Sequence, residues 1–304
     1  MILMNDQGLL SLILNRITVS DSKLGLSRRK FVIAQDSVFE QRAEEFFGRY
    51  QAFMQSQGRL LDFGVDCFVQ LQHSVDQQRE QFLKTGCYEN TSFEEVNRRV
   101  YANTEVMQRH MHGLVFAQFL WPDQYRRFQF FADLLPQYVD KIGRYLEIGG
   151  GHALYLMEAA RVLPDSARIE MVDISGTSLE MAKGMARAPR IQYHCLDVFD
   201  FPEGNYDFIN MGEVLEHVER PQELLKKLHG LLSPGGHAYV TTPANAPMID
   251  HIHLFRNAQE IREMLTRCGF RIEREAMQYA VEVNERLAER MKLPLMYAAL
   301  ICSA

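Results

Sequence analysis

From residue 144 onward, short apolar segments alternate with helical stretches, and no other feature of this 304-residue chain constrains its fold as strongly. A strand–helix–strand repeat can bury its apolar faces only as a parallel sheet covered by helices on both sides. The expected strands are residues 144–148, 168–173, 190–195, 206–211 and 238–242. Right-handed crossovers then place the loops that follow these strands along one sheet edge, where open α/β sheets bind ligands.

The first of these strands runs into Glu147, Ile148, Gly149, Gly150 and Gly151, ahead of a helix expected from about His152. Glycine permits a tight turn and removes the Cβ that would keep a ligand off the backbone. The second strand ends in Asp173, 22 residues after Gly151, the spacing of a carboxylate that accepts hydrogen bonds from ribose hydroxyls. Together they imply a ligand of adenosine type. Position 154 is Leu rather than the third glycine of GxGxxG, which weighs against a dinucleotide.

Ahead of this region, residues 36–135 carry a helical period. Phe39, Ala43, Phe46, Phe47, Tyr50, Phe53 and Met54 fall on one face. Ser37 with Glu40 and Ser92 with Glu95 have capping-box spacing, Gly58 marks a stop, and Pro122 suits the first turn of a helix running to Leu135. Four or five helices are expected. The stretch 100–127 is rich in aromatic, Met and His side chains, so His110, His112, Trp121 and Tyr125 are pocket candidates, with core packing the competing reading. A domain boundary is expected near 138, with residues 1–138 as a helical lid or dimerisation unit and 139–304 as the ligand-binding unit.

Composition narrows the class. Apolar residues make up 47% and charged residues 24%, enough for a real core, and the net charge of -6 argues against a nucleic-acid or acidic-membrane binder. The run Ser27 to Lys30 reads as a solvated surface patch. Five scattered cysteines without a CxxC pair suggest neither a disulfide framework nor a zinc or iron–sulfur site. The apolar run 9–14 is too short to span a bilayer and lacks a basic leader, so a cytoplasmic protein is expected.

The glycine turn with Glu147, acidic Asp173, Asp197 in HCLDVFD, the segment YDFINMGEVLEHV and LLSPGGHAYVTTP together resemble the successive motifs of class I S-adenosylmethionine-dependent methyltransferases, over about residues 142–270. The VLEHV segment resembles the small-molecule branch. The resemblance implies a Rossmann-like seven-stranded α/β sheet with helices on both faces and one antiparallel strand, residues 270–278 and 295–303 supplying its last two strands. It implies S-adenosyl-L-methionine as cofactor, with S-adenosyl-L-homocysteine as product. Gly149, Gly150 and Gly151 would lie against the amino-acid part of the cofactor, with Glu147 supporting the turn. Asp173 would hold the ribose with Ile174 beside it, Asp197 would accept from the adenine amino group, and Val198 would donate a backbone N–H. Met211 and Gly212 would border the methionine moiety. One departure stands at position 153, where many relatives have a further glycine and this chain has Ala153.

Methyl transfer from a sulfonium is in-line, so much of it is positioning, and a base is needed only for a hydroxyl, carbon-acid or protonated-amine acceptor. His217 is the first candidate and His251 the second, with His253 near the acceptor. Glu213 and Glu216 could orient His217. No metal is expected, because no carboxylate partner for His251 and His253 is evident. The chain lacks the [DNS]PP[YF] and Pro-Cys signatures of DNA-modifying relatives and the CxxxCxxC set of radical enzymes. A methyltransferase acting on O, N or C of a small molecule, of the natural-product kind and with a homodimer as the expected assembly, is the reading these features favour. A binding protein that keeps the cofactor without transferring methyl, and an NAD-dependent oxidoreductase, are the alternatives.

Overall fold

The structure is a computed structural model that describes residues 8–280 and 283–304. Its centre is a seven-stranded sheet of order β3-β2-β1-β4-β5-β7-β6. The strands are β1 (Arg144–Ile148), β2 (Arg168–Asp173), β3 (Ile191–Cys195), β4 (Tyr206–Gly212), β5 (Leu232–Ala244), β6 (Phe270–Tyr279) and β7 (Leu295–Ser303). Strands β1 to β5 pair in parallel, and β7 runs antiparallel to both its neighbours. The expected strands are all present, but β3 starts one residue later, β4 and β6 each end one residue later, and β5 is much longer than 238–242. Between β1 and β4 the chain reverses its direction of travel across the sheet, and that switch point opens a crevice at the strand ends. The apolar β7 (LMYAALICS) has a neighbour on either side and is buried almost throughout, whereas the edge strand β6 carries Arg271, Glu273 and Arg274. Charges on an edge discourage pairing with another chain.

Among the described residues seven α-helices precede the sheet: α1 (Leu9–Ser20), α2 (Ser22–Ile33), α3 (Ser37–Ser56), α4 (Leu61–Thr85), the single turn α5 (Phe93–Val96), α6 (Thr104–Leu120) and α7 (Pro122–Leu134). The predicted face of α3 is buried to the last residue. Its cap is Asp36, whose carboxylate accepts from Phe39 N–H at 2.8 Å, one residue before the expected Ser37. Ser92 caps α5 as its spacing suggested, but that helix passes at once into a wide turn at Asn97–Tyr101. Pro122 opens α7. In α1, Leu10, Ile13 and Leu14 of the apolar 9–14 run pack inward. No described helix is long and apolar enough to cross a membrane.

Alternation along the strands divides the interior. Tyr145, Ile169, Phe208 and Tyr239 face the N-terminal helices together with α8 (Leu154–Val162) and α9 (Gly176–Ala186), in one continuous apolar core. Leu146, Val172, Ile209 and Met211 face the opposite side, with α10 (Pro221–Leu231) and α11 (Ala258–Arg267). The short helix α12 (Glu285–Arg290) precedes β7. On the first side the seam is aromatic, with Phe131 of α7 lying 5.0 Å from Tyr155 and 5.2 Å from Tyr239 between ring centroids.

One charge is built into that seam. Arg127 of α7 is buried and ion-paired with Glu213, just beyond β4, while the Tyr239 hydroxyl donates to the Arg127 carbonyl at 2.8 Å. Glu213 holds a left-handed backbone, φ +56°, and its N–H donates to the Thr241 carbonyl at 3.0 Å. Removing one member of a buried pair leaves the other uncompensated. Arg127→Met is expected to lower unfolding stability by roughly 3 kcal/mol, the low end for such a pair because Glu213 keeps some contact with the cavity. A chemical-denaturation midpoint equal to wild type would refute that.

Candidate active site

The crevice at the switch point deepens into a cavity of about 560 Å³. Its floor is the glycine turn after β1. Gly149 has φ +71°, and a Cβ there would fall 2.8 Å from Val214 Cγ2. A Cβ on Gly151 would fall 2.7 Å from Met111 Cε. Side chains there would meet these neighbours and strain a backbone of positive φ, so glycine leaves the turn bare toward the cavity. Ala153 adopts φ +61°, the left-handed region where glycine carries no penalty, so the departure at this position leaves a mildly strained backbone. The helix begins at Leu154, two residues later than expected.

Glu147 supports this floor from below. Its carboxyl group receives the Tyr145 hydroxyl and, at 2.8 Å, the Asn210 amide. Burial pushes its pKa up to about 8, against the pull of those two donors, so it is neutral across much of the physiological range. Asp173, at the end of β2, accepts from Ser175 N–H at 2.8 Å, and burial raises it to about 6 despite backbone donors at Ser175 and Gly151. Next to it the exposed Ile174 and, beyond β3, Val198 and Phe199 form apolar walls. Asp197 accepts from Phe199 N–H at 2.9 Å, which holds that loop turned toward the cavity.

The far end of the cavity is polar. His217, in the turn after β4, has Nδ1 3.0 Å from the Asp250 carbonyl and 3.0 Å from the Tyr101 hydroxyl. Its Nδ1 is also 3.6 Å from the Asp250 carboxylate, which is 3.3 Å from His110 Nε2. Burial disfavours the imidazolium of His217, but Asp250 and Glu216 outweigh it and raise the pKa. Asp250 is correspondingly held well below the usual carboxylate range, its burial outweighed by His110 and His217. The His251 ring lies 5.0 Å from that of His217, and its Nδ1 is 2.6 Å from the Ala246 carbonyl. Burial and the neighbouring His217 push His251 down to about 3, leaving a neutral imidazole.

Glu147, Gly149, Gly150, Gly151, Asp173, Ile174, Asp197, Val198, Gly212, His110, His217 and His251 thus converge on one cavity. Other candidates do not. Met211 is fully buried on the far side of β4, in the core with α10, because strand alternation turns it away. Trp121 donates to Gln72 at 3.0 Å, Tyr125 packs 4.6 Å from Phe39, and His112 is 2.7 Å from the Tyr50 hydroxyl, so all three belong to the helical layer. His253 packs edge-on against Phe255, 4.6 Å between ring centroids, and does not line the cavity. Conversely, Tyr101, Asp250, Asn210 and His152 line it without having been singled out. Asn210 lies on β4 opposite Glu147, a cross-strand register that spacing along the chain does not reveal.

A family model described as a methyltransferase domain matches residues 123–278, just over half of the chain. Among curated proteins, the ubiquinone biosynthesis O-methyltransferase of Chromobacterium violaceum is 26% identical over 132 residues, covering 40% of this chain and 57% of that protein. Its counterpart from Coxiella burnetii is 33% identical over 101 residues, covering 32% of this chain and 42% of its own length. The chain thus spans about half the length of these relatives. Among solved structures, the mitomycin 7-O-methyltransferase superposes with a TM-score of 0.50 at 14% identity, over 76% of this chain and 68% of that one, a likeness of fold. With the glycine turn, the carboxylate after β2 and the strand order all in place, the family match leads to one assignment: this chain belongs to the S-adenosylmethionine-dependent methyltransferases of class I.

Proposed function

We propose that the protein transfers a methyl group from S-adenosyl-L-methionine to a hydroxyl of a small-molecule acceptor. The observation that carries this reading is a single cavity with a bare glycine backbone and Asp173 at one end and the His217, Asp250 and His110 cluster at the other. Bound S-adenosyl-L-methionine supplies an electrophilic methyl carbon on a cationic sulfur. The chain's residues fit that ligand. The bare backbone of Gly149 and Gly151 admits its amino-acid end, Asp173 can accept from two ribose hydroxyls, and Ile174 and Phe199 offer apolar faces to a flat base. Asp197 and Val198 border the base, and Gly212 the methionine chain.

His217 activates the acceptor. With S-adenosyl-L-methionine bound, His217 Nε2 would take the O–H proton as the acceptor oxygen bonds to the methyl carbon, and the electron pair of the broken carbon–sulfur bond would stay on sulfur as S-adenosyl-L-homocysteine. Residues 1–138 serve as the lid over this reaction, since Tyr101, Met107, His110 and Met111 all reach the cavity from them. Oxygen as the acceptor atom is supported by the histidine–carboxylate cluster, which can take up a proton, and by the O-methyltransferase names of the relatives. A place in secondary metabolism fits a cavity lined by methionine and aromatic side chains. Exposed Val19, Leu26 and Ile33 on α1 and α2 offer a surface for a homodimer.

Two measurements test the assignment. The Asp173 carboxyl titrates near pH 6 in the free protein, so S-adenosyl-L-homocysteine affinity by calorimetry is expected to be flat above that pH and to fall below it as the acceptor oxygens are protonated. Asp173→Asn should weaken binding by about 1–3 kcal/mol and remove most of the pH dependence. A pH-independent wild type, or a variant that binds as tightly, would dispose of the ribose role. His217→Gln should lower kcat by roughly 10²–10⁴-fold on a hydroxylated acceptor, with unchanged S-adenosyl-L-homocysteine affinity. Undiminished turnover would assign His217 to structure alone.

A further inference from the structure

We propose that Glu216, His217 and His251 bind one divalent transition-metal ion at the acceptor end of the cavity. The inference rests on the methyltransferase reading only for the ion's purpose; the site itself rests on geometry. Each of the three residues offers one donor atom, and the three atoms lie within 4.8 Å of one another. Glu216 is completely buried. Its Oε2 accepts from the Thr242 hydroxyl at 2.8 Å, while its Oε1 has no hydrogen-bond partner. An unpaired carboxylate oxygen in the interior is costly unless a cation or proton meets it.

The histidines are arranged as ligands. His251 Nδ1 is 2.6 Å from the Ala246 carbonyl and so carries the proton that it donates, which leaves the Nε2 lone pair free. His217 Nδ1 is 3.0 Å from the Asp250 carbonyl in the same manner, and its Nε2 stands 3.9 Å from Glu216 Oε1. That distance is too long for a hydrogen bond. Ligating histidines almost always donate their other N–H to a carbonyl or carboxylate, which fixes the tautomer and aims the ring. The backbone locks the two segments together, because the N–H groups of Ile252 and His253 donate to the Glu216 carbonyl at 2.8 and 2.9 Å. Asp250, whose carboxylate approaches His217 and His110, completes the outer ring.

Two imidazoles and one carboxylate, with the remaining positions open to the cavity, suit Zn²⁺, Mn²⁺, Fe²⁺ or Co²⁺ rather than Ca²⁺ or Mg²⁺. An ion there would occupy the His217 nitrogen otherwise free to take the proton, and would itself activate the acceptor by binding its oxygen and lowering the pKa of the hydroxyl, with the released proton going to solvent. Along the sequence His253 is the natural partner of His251, and no carboxylate partner for the two is evident. The fold turns His253 onto Phe255 and brings up Glu216 in its place.

Cobalt is the probe. Full-length protein stripped with chelator and titrated with Co²⁺ is expected to take up one equivalent with visible d–d bands, and Glu216→Gln and His251→Asn should each weaken that uptake at least tenfold. S-adenosyl-L-homocysteine binding by each variant shows that the fold persists. X-ray absorption of wild-type protein carrying one Zn²⁺ should show scattering from two imidazoles, independently of any variant. Absence of saturable Co²⁺ uptake, uptake that survives both substitutions, or zinc without imidazole scattering would each overturn the site. The methyltransferase reading fails separately, if stripped or loaded protein binds no S-adenosyl-L-homocysteine.

Discussion

The buried pairing of Arg127 with Glu213 is the contact on which the shape of the cavity depends. One partner belongs to the helical layer and the other to the turn after β4, so the two halves of the chain meet at a charge that neither could bury alone. Glu213 accepts a left-handed backbone in exchange, and the Thr241 hydroxyl adds a hydrogen bond to its carboxylate at 2.9 Å. The chain that follows delivers His217 to the polar end of the cavity, with the fully buried Glu216 behind it. A shift of α7 against the sheet would move all of these together, because Phe131, Tyr155 and Tyr239 pack as one aromatic unit beneath them.

The cavity's two ends are built on different physics. At the glycine turn the chain contributes absence: no side chains, a backbone open to a ligand, and a neutral Glu147 held by Tyr145 and Asn210. At the other end it contributes density, with His110, His217, His251, Glu216, Asp250 and Tyr101 in mutual contact and largely out of water. Such a cluster lowers stability unless every member is satisfied, and the unpartnered Glu216 Oε1 and Asp250 Oδ1 show that not all are. Unsatisfied buried polar atoms gathered at one end of a cavity mark where a protein has given up stability to handle a ligand.

Much of this was legible in the chain. The alternating apolar segments identified the first five strands of the sheet and the motif resemblance the last two, while the glycine turn with Asp173 pointed to the ligand class, because these depend on residues close in sequence. The errors have the same origin in reverse. The motif resemblance puts Met211 at the ligand, but the alternation of β4 sends it into the core with α10. Trp121 and Tyr125 resembled pocket residues by type, and packing within the helical layer consumed them. The cap of α3 fell to Asp36 because the preceding carboxylate reaches the Phe39 N–H.

The sequence by itself determined the class of fold, the places of its strands along the chain and the kind of cofactor, since apolar segments, glycine placement and the carboxylate after β2 act over a few residues and leave few ways to bury the apolar faces. Tertiary structure alone decided which polar groups share the acceptor end. Tyr101 and His110 come from the helical layer, Glu216 and His217 follow β4, and Asp250 and His251 follow β5. Three stretches more than thirty residues apart meet there because the sheet reverses at its switch point and the helices close over it, and no local pattern records a contact made only by packing.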